Sequence, residues 1–287
     1  PLEGLAIPEA QKPYKENHKE EIALRPRKTR DEKVMWACGY RPAKPEIHAS
    51  RTVHPYAPLH VLSGYSFGHS VLFAEEIPRL AATGGIPSAC LADPFSLAGA
   101  FEFVLEAKRV GVKPLVGASF EMAEGGELVL IARDKRGYTD LSRLITACHL
   151  EEPRLYPLCT WQRLAHHAGS LLCLTGGHRG RLNRLLAARR FAEADEWVER
   201  LAGLFGRSNV FVEVERSRTP WEADVERRSV ELAEKHRLVV VAGGAITHGR
   251  PDQFPAQDVA LCAETLCLVD EIIGRKPQRD PTQPQVK

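Results

Sequence analysis

The stretch LHVLSGYSFGHS, residues 59–70, carries His60 in a short apolar run and His69 just beyond a Gly/Ser-rich turn. Imidazoles placed this way serve metal-dependent hydrolysis when carboxylates and further imidazoles join them. Each donor must reach about 2 Å from an ion and leave one position for water. The ends of other apolar runs offer Asp93, His178 in TGGHRGR and His248 in GGAITHG. This set is thin for a multinuclear site, and its neighbours are aliphatic. A second motif, TGGHRGRLNR, places Gly176, Gly177, Arg179, Arg181 and Arg184 between an apolar run and a helical pattern. Free backbone N–H groups and guanidinium forks at such a junction attract phosphate. The motif lacks the Gly-Lys-Ser/Thr ending of a phosphate-binding P-loop. A tight turn followed by a basic helix face is the plainer reading, with a phosphate or DNA-backbone contact as the sharper one.

Other candidates are weaker. Glu213 and Glu215 alternate in VFVEVER and share one strand face, but no acid, base or ligand stands near them in sequence. Glu213 is read as tying barrel neighbours together. His166 and His167 sit in a polar stretch and read as surface residues. No serine is read as a catalytic nucleophile, and none of the seven cysteines (Cys38, Cys90, Cys148, Cys159, Cys173, Cys262, Cys267) has a Lys or Arg neighbour to hold it as thiolate. Their odd number, scatter and apolar surroundings suit reduced core thiols, and no pair has zinc-site spacing. The four tryptophans are spread apart, with no aromatic-interleaved basic ribbon for nucleic acid.

The elements that must position these residues follow an alternating pattern. Apolar runs at 59–62, 88–93, 113–122, 127–134, 170–176, 209–216 and 238–246 read as strands, with amphipathic helical patterns between most of them. Such alternation predicts an α/β fold with a mostly parallel sheet, and about seven units suit a distorted barrel better than an open sheet. In either, chemistry belongs at the C-terminal strand ends. Residues 1–56 are charged and Pro-rich, with VMWACGY at 34–40 as an apolar anchor, and read as an N-terminal extension. Residues 57–274 form the barrel domain, and 275–287 read as a Pro/Gln linker or tail. The start at Pro1 fits a processed chain or a piece of a longer one. Net charge is +2 over 287 residues; residues 1–57 hold eleven Lys/Arg against eight Asp/Glu, leaving the body with 28 against 29. Long-range attraction to nucleic acid would therefore come from the extension or a local patch. No run reaches the 18 to 20 or so apolar residues of a membrane span, and no secretory pattern opens the chain, which places it in the cytoplasm.

The phrases LHVLSGYSF, LADPFSLAGAFEFVLEAKRVGVKPLVGASFE and LVLIARDKRGYTDLSRLIT, followed by VFVEVERSRTP and VVVAGGAITHGRPDQFPAQDVALC, resemble the polymerase-and-histidinol-phosphatase (PHP) domain that opens bacterial DNA polymerase III alpha subunits. SLAGA and RGYTDLSRLIT are most similar to the error-prone branch. The resemblance covers about residues 57–274 and implies a distorted (β/α)7 TIM-like barrel. It also implies a metal set that this chain mostly lacks. The opening His-x-His falls on His60 and Leu62, and the Asp-His on Asp93 and Pro94. The glutamate falls on Ser119, a later histidine on Ser217, and the final Asp-x-His on Ala245 and Thr247, with His248 one residue out of place. His60, Asp93 and His248 are then vestigial metal-site positions, and the first two are expected to hydrogen-bond to each other.

The resulting expectation is a PHP-like barrel without catalytic residues, metal or other cofactor. It would act as a scaffold or interaction module with DNA replication or repair proteins, making at most weak DNA-backbone contact and none with membranes. Nucleotidyl transfer in such polymerases belongs to a separate, following domain. The rival expectation is a Mn-, Zn- or Fe-dependent phosphoesterase or exonuclease built from His60, His69, Asp93, His178 and His248. A third is a phosphate-binding module on the 176–190 face.

Overall fold

The structure, a computed structural model, describes residues 56–151, 157–215 and 222–266. The N-terminal extension up to residue 55, Ser217, Trp221, Cys38, Cys267 and the 275–287 tail lie outside the described residues. In chain order the elements are α1 (Glu76–Thr83), β1 (Ser88–Leu91), α2 (Ala100–Val110), β2 (Lys113–Glu121), β3 (Glu127–Ala132), α3 (Lys135–Glu151), α4 (Trp161–His167), β4 (Leu171–Leu174), α5 (Arg181–Ala187), α6 (Phe191–Phe205), β5 (Val210–Val214), α7 (Glu222–His236), β6 (Val239–Ala242) and α8 (Phe254–Thr265).

The six strands form one sheet in sequence order. Its two edges meet through the 58–62 segment: Val61 bridges Leu91 at the end of β1 and Ile246 beyond β6, both in parallel. Val61 N–H donates to the Cys90 carbonyl and Leu62 N–H to the Ile246 carbonyl. The sheet is thus a curled, distorted TIM-like barrel of the expected α/β class. It departs from a uniformly parallel wall at β3, which runs antiparallel to both β2 and β4. The cause is local. Between Met122 and Glu127 the chain has only a tight turn, closed by Gly125 N–H to the Met122 carbonyl and Met122 N–H to the Gly126 carbonyl, with both glycines at positive φ. A turn that short can only reverse the strand.

Side-chain alternation sorts the two faces of the wall. Cys90, Ala92, Val129, Ile131 and Leu174 pack together inside, with Leu115, Leu172, Phe211 and Val241 against them. Their sequence neighbours Leu128, Leu130, Cys173, Val210 and Val212 point outward into the main core under the helices. A separate outer cluster joins α1, α2 and β1 through Ile77, Leu91, Phe103 and Ala107. Cys90, Cys148, Cys159, Cys173 and Cys262 are buried free thiols, as their apolar surroundings imply. Among the described residues no helix is long and apolar enough to cross a membrane.

Candidate functional site at the barrel mouth

The inward parity of the apolar layer continues upward into a polar one. Glu127 lies two residues before Val129 on β3, Glu213 two after Phe211 on β5, and Ser119 four after Leu115 on β2. Glu127, Glu213, Ser119 and His60 are all buried. Because β3 is reversed, its first residue stands at the end of the barrel where the parallel strands finish. Glu127 is the central acid of the mouth, although no C-terminal strand end carries it.

The geometry links these groups. Glu127 Oε1 lies 3.5 Å from His60 Nε2, and Glu127 Oε2 lies 2.9 Å from Arg179 Nε. The Arg179 contact is close in distance but off the line of an N–H···O bond, so it acts as charge against charge. Burial alone would push the Glu127 carboxyl up; the Arg179 and His60 charges, with Ser119, overcome this and hold it at about 2. Burial alone would pull His60 down, but contact with Glu127 and the nearby Glu213 charge outweigh it, so the imidazole titrates above its ordinary value. Glu213 is fully buried, and burial raises its pKa against the opposing effects of the His60 charge and the Gly244 backbone. Glu215, also raised by burial, lies 3.8 Å from His178 Nε2, whose closer partner is Glu222 Oε1 at 3.1 Å. Space for these acids comes from glycine: a Cβ at Gly243 would sit 2.2 Å from Glu213 Oε1, and one at Gly244 2.7 Å from the Glu215 carboxyl carbon.

The 176–180 turn delivers both His178 and Arg179. Gly176 at φ 84° and Gly177 at φ 54° take the left-handed backbone, and a Cβ at Gly180 would fall 1.9 Å from the Thr175 carbonyl oxygen. The motif with the look of a phosphate loop therefore turns His178 and Arg179 toward the mouth. Arg179 meets Glu127, while Arg181 donates to the Glu124 carbonyl and lies over the Trp197 ring, 5.3 Å from its centroid. Arg184 begins the last turn of α5, a helix of seven residues, with its Nε buried and without a hydrogen-bond partner.

The expected His60–Asp93 bond is not made. Asp93 follows the outward parity of Leu91, and its two carboxylate oxygens accept from Ser63 N–H (2.6 Å), Ser63 Oγ (2.7 Å) and Ser66 Oγ (2.5 Å). His248 turns to Gln257 Oε1 at 3.0 Å and Thr247 Oγ1 at 3.2 Å, and packs on Phe254. The His69 backbone bonds to the Ser66 carbonyl and to Gln257, and His166 is exposed. Leu62, in the second His-x-His position, is fully buried, while Pro94 bridges Ser119. Of the phosphoesterase set, His60, Asp93, His178 and His248 are thus directed to different partners. Among the described residues no three His, Cys, Asp or Glu side chains form a group that could hold a metal ion. As arranged, with Arg179 on Glu127 and Asp93 tied to Ser63 and Ser66, the donors do not fit a divalent ion.

Sequence reasoning missed Glu127, Glu222 and the inward reach of Arg179. The Gly125–Gly126 turn was the available signal for Glu127, since a hairpin there reverses β3 and brings its start to the mouth. Glu213 and Glu215 do share the inner face, but with His60, His178 and glycine walls as neighbours.

Comparison with known proteins agrees with this architecture. The PHP domain family profile matches residues 58–217. An error-prone DNA polymerase of Symbiobacterium thermophilum is 31% identical over 77% of this chain and 22% of its own length. A DNA polymerase III subunit alpha of Caulobacter vibrioides is 32% identical over 71% of this chain and 19% of its own. An error-prone DNA polymerase of Cutibacterium acnes is 26% identical over 92% of this chain and 24% of its own. The chain spans about a fifth of the length of these relatives. With a family match over more than half its length, this chain belongs to the PHP domain family and is related to DNA polymerase III alpha.

Proposed function

We propose that this chain is a noncatalytic PHP barrel that serves as a scaffold or interaction module for DNA replication or repair proteins in the cytoplasm. The observation that carries this reading is the state of Asp93, the surviving carboxylate of the Asp-His position. Three donors from the 63–66 loop bind its oxygens, so it ties the barrel rim together. A carboxylate bound in this way contributes to stability in the manner of a buried structural acceptor. The relatives' names supply the replication and repair context. Nucleotidyl transfer is not assigned to this chain, which spans a small part of their length.

The test is hydrolysis. The purified chain is incubated with end-labelled single- and double-stranded DNA and with bis-p-nitrophenyl phosphate, in the presence of Mn2+, Zn2+ or Fe2+. The proposal expects no turnover above that of His60→Ala. Turnover that depends on His60 and on one of these metals would establish the phosphoesterase reading in its place.

A further inference from the structure

The sheet topology gathers one sign of charge at the end of the barrel opposite the mouth. Parallel strands begin there and the reversed β3 finishes there, so Lys113 opens β2, Arg133 follows the last residue of β3, and Lys135 and Arg136 open α3. Arg207 and Arg237 precede β5 and β6, and Lys108 lies in the last turn of α2. The segments that close this end, 84–88, 106–113, 133–136, 168–170, 206–209 and 234–238, hold nine Lys/Arg against three Asp/Glu. The mouth holds Glu127, Glu213, Glu215 and Glu222. A body with 28 Lys/Arg against 29 Asp/Glu is thus polarised along its axis.

The basic groups form one surface. Arg133 Nη1 donates to Asn209 Oδ1 at 3.2 Å and Arg207 Nη1 to the His236 carbonyl oxygen at 3.0 Å, which links the end of β3 to the starts of β5 and β6. Lys108, Lys113, Lys135, Arg136 and Arg237 are exposed and form no ion pair among the described residues. Elsewhere on the surface Arg190, Arg227, Arg228 and Arg250 are each matched by an acid. Of the three acids at the basic end, Glu106 is held by Arg79 and Arg109, and Asp134 accepts from Gly137 N–H. Arg237 also holds a left-handed backbone, φ 55°, just after α7, where glycine is the usual residue and would carry no strain. Among the described residues, the large apolar side chains exposed here are Tyr138 on α3 and Val239 on β6, which sit on separate elements. The more exposed Phe101 and Leu150 belong to helix ends at the mouth. The basic end therefore lacks the apolar centre of a protein-docking patch.

We infer that this basic end binds the phosphate backbone of DNA by charge, without reading its sequence. Lys and Arg side chains with no acid of their own take the place of counterions condensed on the duplex, so the affinity falls steeply with salt. The choice of DNA rests on the replication or repair reading above; the backbone contact rests on the charge of this end.

The full chain is titrated into a fluorescein-labelled DNA duplex, and anisotropy is read from about 50 to about 200 mM NaCl. Five phosphate contacts give a slope of about −4.5 in log K against log salt, a fall of about 500-fold over that range. Lys113→Ala/Lys135→Ala/Arg136→Ala is expected to flatten the slope to about −1.8, and Arg237→Gly, which also relieves the backbone, to about −3.6. Both replace exposed side chains and are expected to keep the circular dichroism of wild type. Arg189→Ala/Arg190→Ala, on the 176–190 face, is expected to bind as wild type. No binding at about 50 mM salt, or a slope that is unchanged in the triple variant, overturns the inference. So does binding lost in Arg189→Ala/Arg190→Ala and kept in the triple variant. Capture of polyglutamate in place of DNA assigns this end to an acidic protein and also overturns it. Each of these failures leaves the noncatalytic reading intact, because that reading is decided by the hydrolysis test.

Discussion

Replacing Asp93 separates a structural carboxylate from a metal ligand. Asp93→Ala deletes the acceptor of three hydrogen bonds at 2.6, 2.7 and 2.5 Å and strands the donors of Ser63 and Ser66, both buried. Hydrogen bonds to a charged acceptor contribute about 1.5–3 kcal/mol each, and bonds sharing one acceptor are not additive. The expected loss is about 3–5 kcal/mol. Asp93→Asn keeps the shape and one acceptor oxygen but turns an amide donor toward the serines, at a cost of about 1.5–3 kcal/mol. For a domain of this size each kcal/mol lowers the melting temperature by about 2–4 °C, so Asp93→Ala melts about 10 °C below wild type. Thermal melts by circular dichroism, repeated after exhaustive chelation, give the answer. The deficit should be the same with and without chelator, and a cycle with Ser63→Ala/Ser66→Ala should show strong coupling. An Asp93→Ala chain that melts with wild type, or whose deficit vanishes once both proteins are stripped of metal, would refute the argument.

Further predictions concern the mouth and its turn. Glu127 has a folded pKa of about 2 against 4.5 unfolded, so its contribution of about 3 kcal/mol is present above pH 4.5 and is lost as pH falls toward 2; Glu127→Gln should flatten that acid limb of a pH–stability curve, and an unchanged limb would contradict it. Glu213 has the opposite sign: its raised pKa makes folding take up a proton, so stability falls as pH rises above 4.5 through the folded value. Glu213→Gln should therefore be neutral at pH 4 and stabilising at pH 8, read by urea midpoints; destabilisation at pH 8 would contradict it. Gly180→Ala, whose Cβ meets the Thr175 carbonyl oxygen at 1.9 Å, should cost about 3 kcal/mol or more, whereas Gly111→Ala, at φ 77° with open space around it, should cost about 1 kcal/mol. Gly180 has an ordinary φ of −67°, so a loss there no larger than at Gly111 would mean that the approach to the Thr175 carbonyl is relieved at little cost.

The strand and helix pattern was legible because alternating burial writes itself into alternating hydrophobicity. Val129, Ile131 and Leu174 face inward, and Leu128, Leu130 and Cys173 outward, all inside runs that read as strands. Strand direction was less accessible, since it depends on one turn at Gly125–Gly126, and with it went Glu127. The resemblance located His60, Asp93 and Ser119 in the rim but could not say where their side chains point. Asp93 follows the parity of Leu91 and serves Ser63 and Ser66, a fact of register invisible in a motif. Arg179 was read as part of a tight turn leading into a basic helix face, with a phosphate contact as the alternative, and either reading turns it to solvent. Its partner is an inward acid 52 residues earlier in the chain, which pairing across the barrel alone brings near.

The most direct test of the account is elemental analysis for Mn, Fe and Zn on the chain purified without chelator and without a metal-affinity tag. The account predicts no stoichiometric metal, before or after incubation with each ion and desalting. Metal retained at one or more equivalents per chain, and lost when His60 and Glu127 are replaced together, would contradict it.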